Sequence, residues 1–195
     1  MMSAQAALRS DTRGATIVEF AIVAPVMILV LMGLGDVLHQ AYVQAILDGA
    51  IQKAGRDSAI EGGAENTTVI DNKVKTMVGT IIRNATWQSK RSYYSSFSAM
   101  KPEPFTDSNG NGRRDAKECY DDVNGNSVYD TDPARTGQGG AEDVTVYTMT
   151  VTYSRLFPIA KMVGANNTQT LSASTLLKNQ PYRTQTQVAV QTRCN

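Results

Sequence analysis

Residues Ala15–Gly35 read ATIVEFAIVAPVMILVLMGLG and contain a single charged side chain, that of Glu19. At a rise of 1.5 Å per residue, a helix of this length reaches about 31 Å, which matches the hydrocarbon core of a bilayer. The flank before the stretch is basic, and the next charge after Glu19 is Asp36. Because basic flanks stay in the cytoplasm, the stretch predicts a single-pass transmembrane helix with residues 1–14 inside and the rest of the chain outside.

Residues 15–35 have three possible interpretations. A cleavable secretory signal has a shorter apolar core and a small-residue cleavage site. A plain signal anchor has the right length but leaves Glu19 unexplained. A carboxylate inside lipid costs about 2–3 kcal/mol and usually has a partner. The third kind, a type IV prepilin, supplies that partner.

The resemblance to a type IV prepilin rests on the residues around Gly14. The sequence after Gly14 is ATIVEF, so Glu19 is the fifth residue beyond the glycine. Prepilins have the same order of basic leader, glycine and apolar helix with Glu at the fifth mature position. The resemblance implies that a prepilin peptidase cuts after Gly14. The new amino group of Ala15 then pairs with Glu19, which offsets the burial of both charges and helps to register one subunit against its neighbour.

A longer match extends over residues 13–36, RGATIVEFAIVAPVMILVLMGLGD, which resemble the amino-terminal signature of the TadE-like family of Tad (tight adherence, Flp) pilus proteins. The matching positions are Arg13, Gly14, Val18, Glu19, Phe20, Ala21, Val23, Pro25, Gly33 and Asp36. The resemblance implies a location in the bacterial inner membrane. It also implies partners among other pilins or pseudopilins, the Tad assembly proteins and the prepilin peptidase.

The predicted fold class is α+β with a pilin-like plan. A long amino-terminal transmembrane and stalk helix packs on a small antiparallel sheet head, which carries a calcium-loop insertion. Helical spacing of apolar residues continues the stalk to about Gly55. Residues rich in β-branched and aromatic side chains predict strands within 87–100, 143–154, 169–177 and 184–192. The expected domains are a leader (1–14), a transmembrane helix (15–35), a periplasmic continuation (36–60) and an extracytoplasmic head (61–195).

Acidic residues concentrate in one block of the head. Residues 103–143 carry 10 acids and 4 bases, although the net charge of the whole chain is only +1. Carboxylates at this density repel one another unless a cation gathers them, so the block indicates metal binding. The near-neutral total argues against a nucleic-acid partner, and one His with two Cys offers few ligands for zinc.

Residues 107–118 read DSNGNGRRDAKE and fit the calcium-loop pattern D-x-[DN]-x-[DN]-G-x5-E at every position. Oxygen side chains at positions 1, 3 and 5 converge on a hard cation, the glycine permits a sharp turn, and the final Glu closes the sphere. A pair of hydrated Asx turns is the alternative, because Asn-Gly favours turns by itself. The predicted ligands are Asp107, Asn109, Asn111, the backbone carbonyl of Arg113, Asp115 and Glu118.

A second, poorer copy starts 15 residues later, with Ser127 in place of the glycine and Pro133 where the Glu would be. Tandem loops of this kind resemble dockerin or thrombospondin type 3 repeats more than a full EF-hand. Calcium outside the cytoplasm would fold a loop that otherwise repels itself. The predicted ligands are Asp122, Asn124, Asn126, Asp130 and, as a substitute for the missing acid, Asp132.

The two cysteines lie beside the first loop and near the end of the chain. Cys119 follows Glu118 directly, and Cys194 is the penultimate residue. In an oxidising periplasm they can form a disulfide that staples the carboxy terminus beside the metal site. Two separate thiols are the alternative.

The sequence contains no convincing catalytic set. It has neither a G-x-S-x-G motif nor a P-loop, and its single His has no matching nucleophile. We therefore expect no enzyme, because a third possibility, an exported hydrolase stabilised by calcium, lacks a convincing catalytic set. The leading interpretation is a membrane-anchored minor pilin or pseudopilin of a Tad-type system. The alternative is a bitopic periplasmic calcium-dependent adhesin or binding module that never joins a filament.

Overall fold

The computed structural model describes residues 13–59, 66–157, 161, 164, 166–180 and 188–194. The predicted α+β class, with a long amino-terminal apolar helix and an antiparallel sheet, is confirmed. A short 3-10 helix spans Phe97–Ala99. The elements are, in chain order, α1 (Arg13–Ala59), α2 (Thr67–Gly79), β1 (Thr86–Tyr94), β2 (Cys119–Asp122), β3 (Arg135–Thr136), β4 (Val144–Ser154), β5 (Thr168–Lys178) and β6 (Gln191–Cys194).

The chain divides into two compact units. The first unit takes in the chain up to Tyr42 together with Ser154–Gln169. The second takes in Val43–Tyr153 together with Thr170–Asn195. Each unit therefore contains part of α1, and each has its own set of contacts.

The first unit is built on the apolar part of α1. The large apolar side chains of this part are mostly exposed, for example Ile17 (71%), Val30 (63%) and Leu38 (61%). Within the described residues, Thr16–Ser58 is the one helix long and apolar enough to cross a membrane, and its most apolar window is not buried. The predicted transmembrane helix thus presents the apolar surface that lipid contact requires.

The residues after β4 contact α1 where its apolar run ends. Nη1 of Arg155 donates a hydrogen bond to Oδ2 of Asp36 at 2.6 Å. The ring of Phe157 approaches the helix backbone at Gly35, where a Cβ atom would stand 3.0 Å from Cε2 of the ring. The glycine therefore permits a contact that a larger residue would obstruct.

The second unit contains a four-stranded sheet and a two-stranded sheet. The strand order is β3-β1-β4-β5 in the larger sheet and β2-β6 in the smaller one. β1 pairs antiparallel with β4 along its whole length. Hydroxyl hydrogen bonds join β4 to β5, between Thr150 and Ser172 at 3.2 Å and between Thr152 and Thr170 at 2.9 Å.

The core of the second unit lies between the larger sheet and the two helices. Alternate residues of β4 are buried, as the period of two in its sequence predicts. The helices contribute residues at three- and four-residue spacing, which places them on one helix face. The principal members are Val43, Leu47, Ala50, Ile51 and Ala54 of α1, Ile70, Val74 and Val78 of α2, and Tyr147, Met149, Val151 and Tyr153 of β4.

A buried polar group joins α2 to the sheet. Asp71 accepts hydrogen bonds from Nη2 of Arg91 at 2.5 Å and from the hydroxyl of Tyr147 at 2.6 Å. The guanidinium of Arg91 lies 4.0 Å from the centroid of the Tyr147 ring. Burial alone raises the pKa of Asp71, but hydrogen bonds from Arg91, Tyr147 and Ser89 outweigh it and lower that pKa below its ordinary value. The carboxylate is therefore a satisfied anion that orients α2 on the sheet.

Two strand predictions differ from the structure. The strand predicted within 87–100 ends at Tyr94, because its partner β4 begins at Val144, which is paired with Tyr94. The strand predicted at 184–192 is found at Gln191–Cys194, where it pairs with β2. Residues 184–187 of that prediction, and residues 1–12 of the leader, lie outside the described residues.

Candidate functional site

The amino-terminal motif lies in the first turns of α1. The helix begins at Arg13, and Glu19 is exposed on it. Ala15 and Glu19 are four residues apart in a continuous helix, so they lie one turn apart on the same face. An amino group created at Ala15 would therefore be within one turn of the carboxylate.

The first acidic loop folds around Asp107. Oδ1 of Asp107 accepts a hydrogen bond from the amide of Asn111 at 3.2 Å, and Oδ2 accepts one from the amide of Gly112 at 2.7 Å. Asn109 and Asn111 each donate through Nδ2 to Oδ2 of Asp115, both at 2.7 Å. The side chains at loop positions 3, 5 and 9 thus meet, while the carboxylate at position 1 accepts hydrogen bonds from backbone amides of the same loop.

Glu118 closes the first loop. Its Oε1 accepts a hydrogen bond from the amide of Ser108 at 2.8 Å, and its Oε2 accepts one from the amide of Asp115 at 2.9 Å. Glu118 is only 7% exposed, whereas Asp107 and Asp115 are exposed. One carboxylate therefore holds both ends of the loop together.

The second acidic loop repeats this arrangement around Asp122. Its Oδ1 accepts a hydrogen bond from the amide of Asn126 at 3.1 Å, and its Oδ2 accepts one from the amide of Ser127 at 2.9 Å. Asn124 and Asn126 donate to Oδ2 of Asp130 at 2.8 Å and 2.6 Å. Ser127 keeps the left-handed backbone of the glycine that it replaces, with a φ of 67° against 73° in the first loop.

The acid that closes the second loop is Glu103, which precedes both loops in the sequence. Its Oε1 accepts a hydrogen bond from the amide of Val123 at 2.8 Å, and its Oε2 accepts one from the amide of Asp130 at 2.9 Å. Glu103 is 1% exposed. Asp132, the substitute acid expected from the sequence, instead accepts a hydrogen bond from the hydroxyl of Tyr94 at 2.7 Å. The hydrogen bonds therefore favour Glu103 over Asp132 at the closing position.

Glu103 was missed because the repeat is longer than the loop motif. Glu103 precedes Glu118 by 15 residues, and Asp107 precedes Asp122 by the same interval. Both copies follow the pattern E-x-[FY]-x-D-x-N-G-N. In each copy the Glu lies four residues before the leading Asp of the loop. In the structure, the Glu of each copy closes the loop of the other copy.

The two copies are joined by backbone and aromatic contacts. An antiparallel bridge connects Phe105 to Tyr120. The ring of Tyr129 meets both of these rings edge-on, at centroid distances of 5.9 Å and 5.7 Å. The guanidinium of Arg114 lies 4.8 Å from the centroid of the Tyr120 ring. These contacts give the exposed loops a half-buried aromatic base with Tyr120 at its centre.

The leading aspartates of both loops have lowered pKa values. The amide of Gly112, with other backbone amides of the loop, lowers the pKa of Asp107. Burial raises the pKa of Asp122, but hydrogen bonds from Arg193 and from the amides of Ser127 and Gly125 outweigh it, so that this pKa is also lowered. Both groups are anions at neutral pH, which is the form that binds a hard cation.

A disulfide bond joins Cys119 to Cys194, which face each other in the pairing of β2 with β6. This pairing brings the carboxy-terminal strand to the second loop. Nε of Arg193 donates a hydrogen bond to Oδ2 of Asp122 at 2.7 Å. The disulfide therefore holds a cationic side chain against the leading acid of that loop.

The donor atoms of the two loops are oxygens. Among the described residues, no three His, Cys, Asp or Glu side chains form a metal-binding group. The loops combine carboxylates with side-chain amides and backbone carbonyls, the ligand types that calcium accepts. It is thus the residue types of the loops, and not a carboxylate cluster, that would suit a hard cation such as calcium.

The comparisons with known proteins concern the first part of α1 and its continuation. Residues 14–56 match the family model of TadE-like protein. The match covers about a fifth of the chain and leaves the acidic loops and the sheets outside it. No curated protein and no solved structure matches the chain. TadE-like proteins are components of pilus assembly and are not known as enzymes. The chain is thus similar to the TadE-like family over residues 14–56, a stretch that lies within its long apolar helix.

Proposed function

We propose that this protein is a membrane-anchored minor pilin or pseudopilin of a Tad-type pilus assembly system, processed after Gly14. The observation that carries the proposal is an exposed apolar helix, within a TadE-like segment, whose acid Glu19 follows Ala15 by one turn. A carboxylate in lipid costs about 2–3 kcal/mol. An amino group freed at Ala15 offsets that cost by forming an ion pair.

The proposed topology follows from the charge flanks. Residues 1–14 stay in the cytoplasm, the helix from Ala15 crosses the bacterial inner membrane once, and the head from residue 61 is periplasmic. A disulfide between Cys119 and Cys194 suits an oxidising compartment. The partners are the prepilin peptidase, other pilins or pseudopilins, and the Tad assembly proteins.

We propose that both acidic loops bind calcium as a structural ion. In each loop, two asparagine amides donate to one aspartate, Asp115 or Asp130, and so occupy the centre with partial positive charge. A cation there would replace these donors, and the amides would present their oxygens after a half-turn. The ligands are those predicted for the first loop. In the second loop they are Asp122, Asn124, Asn126 and Asp130, with Glu103 rather than Asp132 as the closing acid.

A bitopic periplasmic calcium-dependent adhesin or binding module is the alternative function. It is favoured by the position of both acidic loops outside the residues that match the TadE-like family. In this case the apolar helix is a permanent anchor and the protein never enters a filament. The two functions therefore differ in the fate of residues 1–14.

The mass of the mature amino terminus distinguishes the two functions. A pilin isolated from cells with an active prepilin peptidase begins at Ala15, whereas a permanent anchor keeps Met1 or Met2. An exported protein would begin near residue 35. Recovery of the chain with residues 1–14 still attached would contradict the pilin proposal.

The role of Glu19 is tested by Glu19→Ala in the same cells. We expect the variant to insert into the membrane normally, because an apolar helix becomes more apolar, but to lose assembly. The matched control is Glu142→Ala, which removes an exposed acid of the head. Piliation by the Glu19 variant equal to that of the control would count against a register role.

Calcium is tested on the full chain in detergent micelles. Wild type is expected to melt at a higher temperature when calcium is added, because bound ions relieve repulsion among the loop acids. The double variant Asp107→Ala, Glu118→Ala should lose the part of this rise that the first loop supplies. Asp57→Ala, outside the loops, should keep all of it. Calorimetry that detects no calcium binding to wild type would rule out both sites.

A further inference from the structure

We propose that the connection after β4 is a second membrane contact, in which the exposed Leu156 and Lys161 bind the phospholipid surface next to the helix while Arg155 and Phe157 hold the connection against α1. The inference rests on the proposed membrane-spanning helix and goes beyond it. It assigns an interfacial role to a segment that lies outside the TadE-like match.

Contacts with α1 determine the depth of this segment relative to the bilayer. Arg155 forms the 2.6 Å ion pair with Asp36, and Phe157 lies against Gly35. Gly35 is the last residue of the apolar run, and Asp36 carries the first charge after Glu19. A helix that crosses the bilayer with Ala15–Gly35 in the hydrocarbon core has these two residues at the boundary between acyl chains and headgroups. Arg155 and Phe157, which contact them, lie at the same depth, and Leu156 stands between the two in the sequence.

The exposed chemistry of the segment suits that depth. Leu156 is 55% exposed and follows the half-buried Arg155. Lys161 is exposed. The sequence 155–164, RLFPIAKMVG, contains two basic residues, no acid and mostly apolar side chains. Apolar side chains combined with Lys and Arg are typical of elements that lie in the membrane interface and contact anionic lipid.

The surface of α1 just beyond Asp36 also exposes apolar and aromatic side chains. Val37, Leu38 and Tyr42 are 61%, 61% and 56% exposed. Exposed tyrosines are enriched at the membrane–water boundary, where the ring contacts lipid and the hydroxyl contacts water. Contact with the same lipid surface therefore explains the exposed residues on α1 and those after β4. The depth of that surface relative to the chain follows from the position of the membrane-spanning part of α1.

Depth-dependent quenching of a single tryptophan tests the inference. The chain has one tryptophan, Trp87, so Trp87→Phe provides a silent background. Three reporters are then introduced one at a time: Leu156→Trp in the segment, Val30→Trp in the apolar helix, and Leu176→Trp on β5 of the second unit, where the leucine is 46% exposed. The full chain is reconstituted into phosphatidylcholine–phosphatidylglycerol vesicles with or without brominated acyl chains.

We expect brominated lipid to remove most of the emission of the tryptophans at positions 30 and 156 and to leave position 176 unchanged. Emission at position 156 should also shift to shorter wavelength on reconstitution. If position 156 behaves like position 176 while position 30 is quenched, the second contact is overturned and the spanning helix stands. A blue shift at position 156 without quenching would identify a protein neighbour instead and would also overturn it. No quenching at position 30 would remove the spanning helix and this inference together.

The basic residue supplies a second readout. In the Leu156→Trp background, Lys161→Glu should reduce quenching in the anionic vesicles, because a carboxylate is repelled by phosphatidylglycerol. The matched control is Lys101→Glu, an exposed lysine of the second unit, which should leave quenching unchanged. Equal quenching in the two charge variants would exclude a contact between Lys161 and the lipid headgroups.

Discussion

The carboxylate of Glu103 makes in the second acidic loop the same two backbone hydrogen bonds that the carboxylate of Glu118 makes in the first. Each Glu also donates its own amide to the aspartate carbonyl at the ninth position of the loop that it closes, at 3.0 Å and 3.1 Å. Two copies of a 15-residue repeat thus exchange their closing acids. Neither loop is complete without the other copy.

This exchange predicts which acid matters for the calcium ion proposed in the second loop. Glu103→Gln keeps the size of the side chain but removes its charge, so the full chain in micelles should bind one calcium fewer. Asp132→Asn should leave the number of bound ions unchanged, because Asp132 is engaged with Tyr94. Isothermal titration calorimetry measures both. A lower stoichiometry in the Asp132 variant alone would restore the ligand set expected from the sequence.

The left-handed backbone at the sixth loop position predicts opposite effects for two small substitutions. Ser127 has a φ of 67°, which is unfavourable for a residue with a Cβ atom. Ser127→Gly should therefore raise the free energy of unfolding by about 0.5–1 kcal/mol. Gly112→Ala should lower it by about 1 kcal/mol, since the site has open space but a φ of 73°.

Urea unfolding followed by circular dichroism, with chelator present, measures both effects without any contribution from metal. The two variants act as controls for each other, because they change the same loop position in opposite directions. Shifts of the same sign would show that the backbone conformation is not the cause.

The buried ion pair of Asp71 predicts a pH-dependent contribution to stability. The pKa of Asp71 is lowered in the folded protein, so the contribution is present above the unfolded pKa, near 4, and is lost as pH falls through the lower folded value. Asp71→Asn leaves Arg91 buried without its anion and should cost about 3 kcal/mol at pH 7. The difference between wild type and variant should shrink on acidification.

An exposed ion pair between an aspartate and a lysine serves as the comparison for Asp71. Asp57 pairs with Lys73 at 3.0 Å, and both side chains are substantially exposed. Asp57→Asn should therefore cost less than about 1 kcal/mol at any pH. A loss for Asp71→Asn that is independent of pH between neutral and acidic conditions would contradict the assignment of its charge.

The disulfide predicts a redox-dependent stability. Cys119 and Cys194 are 75 residues apart in sequence, so their bond constrains a long loop of the unfolded chain. The double variant Cys119→Ser, Cys194→Ser should lose roughly 2–4 kcal/mol of unfolding free energy. Dithiothreitol should bring wild type to the same value and leave the variant unaffected. If dithiothreitol does not change the unfolding free energy of the wild type, the disulfide either does not form or does not contribute to stability.

The elements that the sequence predicted well share one property, which is that their signal is local. The apolar run of α1 and the alternation of β4 are each encoded within about 20 consecutive residues. The strand predicted within 87–100 extended too far, because the end of β1 depends on where β4 begins. That boundary is a property of strand pairing and has no local signal.

The sequence by itself determined that this protein has a lipid-compatible helix that contains the acid Glu19, and two oxygen-rich loops, because periodicity and short motifs encode these features. Only the tertiary structure decided that Glu103 closes the second loop, that Asp71 binds Arg91 and Tyr147, and that Arg155 binds Asp36. The last pair is separated by 119 residues. Such contacts depend on the path of the whole chain, since a charged side chain finds its partner only after the intervening elements have packed.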